Sequence, residues 1–94
     1  MAERRSGELI CQFRDPVRSG EGVAYVAQVW ARRDDRWHAW LVFIAADGRI
    51  LRTARETIQA SRDAVRDWAA ALRPADLHVA LARAVPPSAE LPAA

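Results

Sequence analysis

The stretch from Val23 to Ala46 reads as two strands of a hairpin that are apolar on both faces, which is unusual in a chain of 94 residues. Strand side chains alternate with period 2, so a sheet with one wet face shows one apolar row and one polar row. Here both rows are apolar. A turn at Asp34-Asp35 that pairs Arg33 with Arg36 predicts one row of Val23, Tyr25, Ala27 and Val29 with Trp40, Val42 and Ile44. The other row is then Ala24, Val26 and Trp30 with Trp37, Leu41 and Phe43. A register slip of one residue would reshuffle both rows. In either register a single layer of helices covers one face, and the other must meet a second copy, a different partner or a ligand.

Ninety-four residues allow one domain with one core. About half the residues are apolar and over a quarter charged, the balance of a packed domain. All 14 basic residues are arginine, and alanine is abundant, a pairing that GC-rich coding explains without selection for function. An arginine surface for phosphate is the functional alternative. A net charge of +2, with arginines interleaved among Asp and Glu, gives it little support. Cys11 is the single cysteine, which excludes an intramolecular disulfide or a cysteine-based metal site within one chain and fits a reducing compartment. No apolar stretch of signal-peptide length follows Arg4-Arg5, and no run approaches the roughly 20 residues that span a bilayer. A cytoplasmic protein without membrane contact is expected.

The order of elements follows from period and punctuation. Glu8 to Arg14 forms a first strand that Asp15-Pro16 ends, since proline removes a ladder donor. Arg18 to Gly22 is a flexible connection, and Asp47-Gly48 signals a two-residue hairpin loop, supplying its positive φ values, before a last strand at Ile50–Thr53. Ala54–Ala60 shows no clear period and reads as an ordered excursion. Ser61 caps a helix of about 12 residues with Val65, Trp68, Ala69 and Leu72 on one face. Pro74 opens a second helix with Leu77, Ala80, Leu81 and Ala84. The expected fold is α+β: an antiparallel meander of about four strands followed by two short helices on one face. Residues 1–85 form the domain, residues 1–7 fray, and a Pro/Ala tail at 86–94 is disordered.

Trp40 and Trp68 fall on rows expected to meet between sheet and helix as core. Val26, Trp30, Trp37, Leu41 and Phe43 form the candidate contact face, with Arg32 and Arg52 flanking it. Aromatic side chains beside arginine also suit a single-stranded nucleic-acid platform, although the strongly basic setting of such platforms is missing. His38 and His78 lack companions at metal-ligand spacing. No phosphate loop, nucleophile elbow or metal motif occurs, so no catalytic, cofactor or metal residue is assigned. An enzyme would have to draw on His38, Glu56 and Cys11. Arg55, Glu56, Thr57 and Gln59 hold more polar side chains than a plain turn needs, and either tie down the connection and cap the helix or form a small polar pocket.

Arg55-Glu56-Thr57-Ile58-Gln59, then Ser61-Arg62, Trp68-Ala69 and Leu72, resembles a pattern in small bacterial proteins to which no activity is attached. Over residues 22–73 the outline of three strands and a helix that starts after Thr or Ser is also similar to the HicB-like antitoxins. That resemblance implies a dimer that neutralises a small RNA-cleaving toxin. The family's Pro-Gly-Cys turn is absent, the approach to the helix is longer, and no DNA-binding domain is expected after the helices, so no functional residue carries over. The expectation is a non-enzymatic protein that works as a homodimer or with a small protein partner, without cofactor. Nucleic-acid binding is the alternative.

Overall fold

Glycine at position 48 adopts φ +92° and closes a three-residue loop, 46–48, one residue longer than the loop expected at Asp47-Gly48: its N–H donates to the Ala45 carbonyl, and the Ala45 N–H to that of Arg49. The computed structural model describes residues 7–87. Its elements are β1 (Glu8–Gln12), β2 (Val17–Arg18), β3 (Ala24–Arg33), β4 (Trp37–Ala45), β5 (Ile50–Arg52), β6 (Thr57–Gln59), α1 (Arg62–Ala70) and α2 (Pro74–Arg83). Both β1 and β2 pair with β3, and both β5 and β6 pair with β4, all antiparallel. The sheet is thus a four-lane meander whose two outer lanes are each broken in the middle. It is the α+β arrangement expected, with β6 an addition inside the excursion at residues 54–60. Residues 1–6 and 88–94 lie outside the described residues, and with them most of the expected frayed start and disordered tail.

The hairpin register differs from the expected one. Asp34–Arg36 forms a three-residue loop in which the Asp34 N–H donates to the Arg36 carbonyl at 2.8 Å, and Arg33 pairs with Trp37. A two-residue loop needs left-handed backbone at its centre, and Asp34-Asp35 offers no glycine to supply it. The shift of one residue moves every β4 side chain to the other face. Leu41 and Phe43, opposite Val29 and Ala27, therefore lie beneath the helices at 2% and 0% exposure. Trp40, Val42 and Ile44 instead share a face with Trp30, Gln28 and Val26.

The helix-side face holds the core. Tyr25, Ala27, Val29, Ala31, Ala39, Leu41, Phe43 and Ala45 of the sheet pack with Val65, Ala69, Leu77, Ala80 and Leu81 of the helices. Burial of the largest of these, Phe43, Leu41, Val29 and Val65, contributes about 1.5–3 kcal/mol each. Trp68 packs against this cluster from α1. A bulge in β1 between Leu9 and Cys11 adds Ile10 to the same core.

Helix α1 starts where expected, with the Ser61 hydroxyl accepting from the Ala64 N–H at 3.0 Å and Asp63 in the first turn. It ends at Ala70, two residues short of Leu72, the last member of its apolar stripe. Proline at 74 forces Arg73 into extended backbone, φ −106° and ψ 164°, and the last turn unwinds before it. The Asp76 carboxylate then accepts from the Arg73 N–H at 2.8 Å at the start of α2.

The break between β5 and β6 is held by one hydroxyl. Thr53, 2% exposed, donates its N–H to the Leu41 carbonyl, and its Oγ1 accepts from the Leu41 N–H at 3.1 Å. The ladder resumes where the Glu56 N–H donates to the Ala39 carbonyl at 2.8 Å. Ala54 and Arg55 are thereby expelled from the lane, opposite Trp40. Thr53→Val keeps the shape but leaves the buried Leu41 N–H unpaired, and should lower unfolding free energy by about 1–3 kcal/mol. Urea denaturation of the two proteins measures this.

Candidate functional site: the open face of the sheet

Helices lie on one side of the sheet only, and the described molecule is 18 Å across its shortest axis. That thickness accommodates a sheet and one helical layer, since each further layer adds roughly 10 Å. The opposite face therefore has no helical layer over it among the described residues. Its strand positions, read from the ladder, include Leu9 and Gln12 of β1 and Val26, Gln28, Trp30 and Arg32 of β3. Facing these are His38, Trp40, Val42 and Ile44 of β4, with Ile50, Arg52 and Ile58 on the outer lane. Leu9 and Val26 are 43% and 37% exposed, and Ile50 and Ile58 are similarly open.

Trp30 and Trp40 oppose each other at the centre. The Arg52 guanidinium stacks over the Trp40 ring, 4.8 Å from its centroid. Gly7 passes against the same indole so closely that a Cβ there would lie 2.8 Å from ring carbons. On the β1 side, Trp30 Nε1 donates to Gln28 Oε1 at 2.8 Å, and Gln28 Nε2 donates to Gln12 Oε1 at 2.8 Å. This chain satisfies the amide of Gln28, which is 9% exposed although it sits on the uncovered face. At the loop end, His38 opposes Arg32, and Arg55 Nη1 lies 3.4 Å from His38 Nδ1, which serves as the acceptor. No Asp or Glu occupies a strand position of this face. The face grades from aliphatic, around Val26, Val42, Ile44 and Ile50, to cationic, around Arg32 and Arg55.

The five residues of the expected contact face are divided by the register. Val26 and Trp30 are on the open face; Trp37, Leu41 and Phe43 are on the helix side. Trp40, expected in the core opposite Trp68, is on the open face with Val42 and Ile44. Leu9, Ile50 and Ile58 also belong to it, and the hairpin pattern alone does not single them out. The missing glycine at Asp34-Asp35 is the sequence signal that places the β4 residues correctly.

The polar string does not form one pocket. Arg55 is expelled toward His38, whereas the Glu56 carboxylate accepts from Arg83 Nη1 at 2.8 Å and Nη2 at 3.2 Å. Gln59 Nε2 donates to Thr57 Oγ1 at 2.8 Å, and both residues stand on the helix side opposite Trp37 and Ala39. Glu56 lines a cavity of about 290 Å³ between the helices and Leu41. These contacts tie β6 to α2.

His38, Glu56 and Cys11 do not converge either. Cys11 sits opposite Val29 on the helix-side face of the far outer lane, and His38 is on the open face. Three strand spacings, roughly 14 Å, separate the Cys11 lane from that of Glu56. Among the described residues no three of His, Cys, Asp and Glu are placed to hold a metal ion, and no helix is long and apolar enough to cross a membrane.

Burial pushes the Cys11 thiol up from its ordinary value, and the nearby Arg66 charge opposes this only in part. Less thiolate forms at a given pH than in a free thiol. Cys11 should react with a disulfide reagent at pH 8 several-fold more slowly than glutathione, and match it once the protein is unfolded in guanidinium. Absorbance of the released thiol measures both rates. No family model, curated protein or solved structure matches this chain.

Proposed function

We propose that the chain is a non-catalytic association module whose open sheet face pairs with a second copy of itself. The observation that carries this reading is the uncovered apolar band from Leu9 through Trp30 and Trp40 to Val42, Ile44 and Ile50. Monomers rarely leave so continuous an apolar surface in water. Strand rise and spacing give the face a footprint on the order of 600 Å² per copy, so a pair encloses about 1,200 Å², the lower bound for specific dimers.

The grading of the face suits a two-fold axis. An axis in the sheet plane and perpendicular to the strands lays the cationic end of one copy over the aliphatic end of the other. Arg32 and Arg55 then meet Ile44 and Ile50 through their methylene stems instead of meeting each other. The HicB-like outline implies a dimer as well.

The second reading is single-stranded nucleic acid, favoured by two tryptophans and three arginines on a face without carboxylates at its strand positions. Against it, the Trp40 ring is already stacked by Arg52 and flanked by Gly7, which leaves little of it for a base.

Sedimentation equilibrium at tens of micromolar should return twice the chain mass. Val42→Glu places a charge in the centre of the pair and should return the single-chain mass with unchanged far-ultraviolet circular dichroism. A wild-type monomer at that concentration would overturn the dimer. Binding of a fluorescent oligonucleotide that weakens steeply with salt would favour the second reading in its place.

A further inference from the structure

The Asp15-Pro16 break between β1 and β2 leaves a gap beside α2. There Phe13, Pro16, Val17, Leu72, Pro74 and Leu77 line a cavity of about 470 Å³. Proline at 16 removes a ladder donor, so the lane cannot close over the helix pair at this point. The volume lies within the roughly 300–1,000 Å³ of small-molecule sites, which combine an apolar lining with a few polar groups. Those groups are Arg14, Arg18, His78 and Asp15.

Their charge is unbalanced. The lining holds two arginines and one aspartate, and Arg18, paired with Ala24, sets its side chain on the other face of the sheet. Arg18 Nη1 is held by the Gly22 carbonyl at 2.9 Å. Arg14, Asp15 and His78 make no side-chain hydrogen bond or ion pair among the described residues. Arg14 thus retains its full set of donors beside an apolar cavity, the arrangement that recognises a carboxylate attached to a hydrophobic body.

We propose that this cavity binds a small hydrophobic monocarboxylic acid, its body between Phe13, Val17, Leu72 and Leu77 and its carboxylate on Arg14. The site is separate from the open face and does not depend on the proposed dimer. Arg14 supplies the charged contact. His78 reaches the cavity from α2 and also lines a smaller one, about 190 Å³, beside Glu21 and Tyr25.

The probe is 2-naphthoate, titrated into the isotopically labelled full chain and followed by amide chemical shifts, with neutral 2-naphthamide as its control. Naphthoate should shift residues 13–18 and 72–78, and naphthamide should bind at least about tenfold more weakly, the loss expected for one charge-assisted hydrogen bond. Arg14→Gln should bring naphthoate down to the naphthamide affinity. Ala75→Trp, at an exposed position on the cavity wall, should abolish binding while sedimentation and circular dichroism stay as in the wild type. Equal affinity for acid and amide, shifts confined to Trp30, Trp40 and their neighbours, or no shift at millimolar probe would each overturn the site.

Discussion

The pairing of Arg33 with Trp37 governs the rest of the molecule. It sets β4 so that Leu41 and Phe43 complete the core with Val29 and Ala27, and every other lane is hung on β3 or β4. Had Arg36 paired with Arg33, Trp40 and Val42 would lie under α1 and α2, and Phe43 would face water. Both registers bury apolar side chains, because both rows of β4 are apolar. Hydrophobicity alone therefore does not choose between them, and the loop at Asp34–Arg36 does.

This explains where sequence reading succeeds and where it fails. The positions of turns marked by glycine or proline are legible, but their lengths are not: Asp47-Gly48 falls in the second reversal, within a loop one residue longer than expected, Asp15-Pro16 breaks the first lane, and Ser61 and Pro74 mark the two helix starts. Helix faces are legible too, since Val65, Ala69, Leu77, Ala80 and Leu81 are the buried apolar positions and recur at helical spacing. The strand faces are not. Period-2 alternation identifies a face only when one row is polar. For the hairpin, the row assignment rests on a loop length of two or three residues, and the candidate contact face inherits the error.

The outer lane shows a different limit. Thr53 replaces a backbone partner of Leu41 with its own hydroxyl, which permits Ala54 and Arg55 to leave the ladder and β6 to rejoin it. Nothing local in Arg52–Ser61 marks this, because the hydroxyl works through a residue twelve positions away. The same excursion carries Arg55 to His38 and turns Glu56 to Arg83, so residues adjacent in sequence serve opposite faces. A polar string on a connection between strand and helix is consequently a poor guide to a pocket: its side chains are distributed by the break between β5 and β6.

Both surfaces proposed to bind follow from a shortage of helix. Helices of nine and ten residues are about 14–15 Å long and pack about 8–10 Å from a neighbour, so together they cover a few hundred Å². The sheet offers on the order of 600 Å² on each side. One face is thus left without a helix over it among the described residues, and on the other the helices run out at the β1–β2 break, where Phe13, Val17 and Leu77 border a cavity. The two openings differ in the chemistry at their edges. The face grades from aliphatic to cationic over a length that a rotated copy can match, whereas the cavity is small, bordered by an Arg14 with no ion-pair partner among the described residues, and too narrow for another sheet. The larger opening therefore suits a second chain and the smaller one a single acidic molecule.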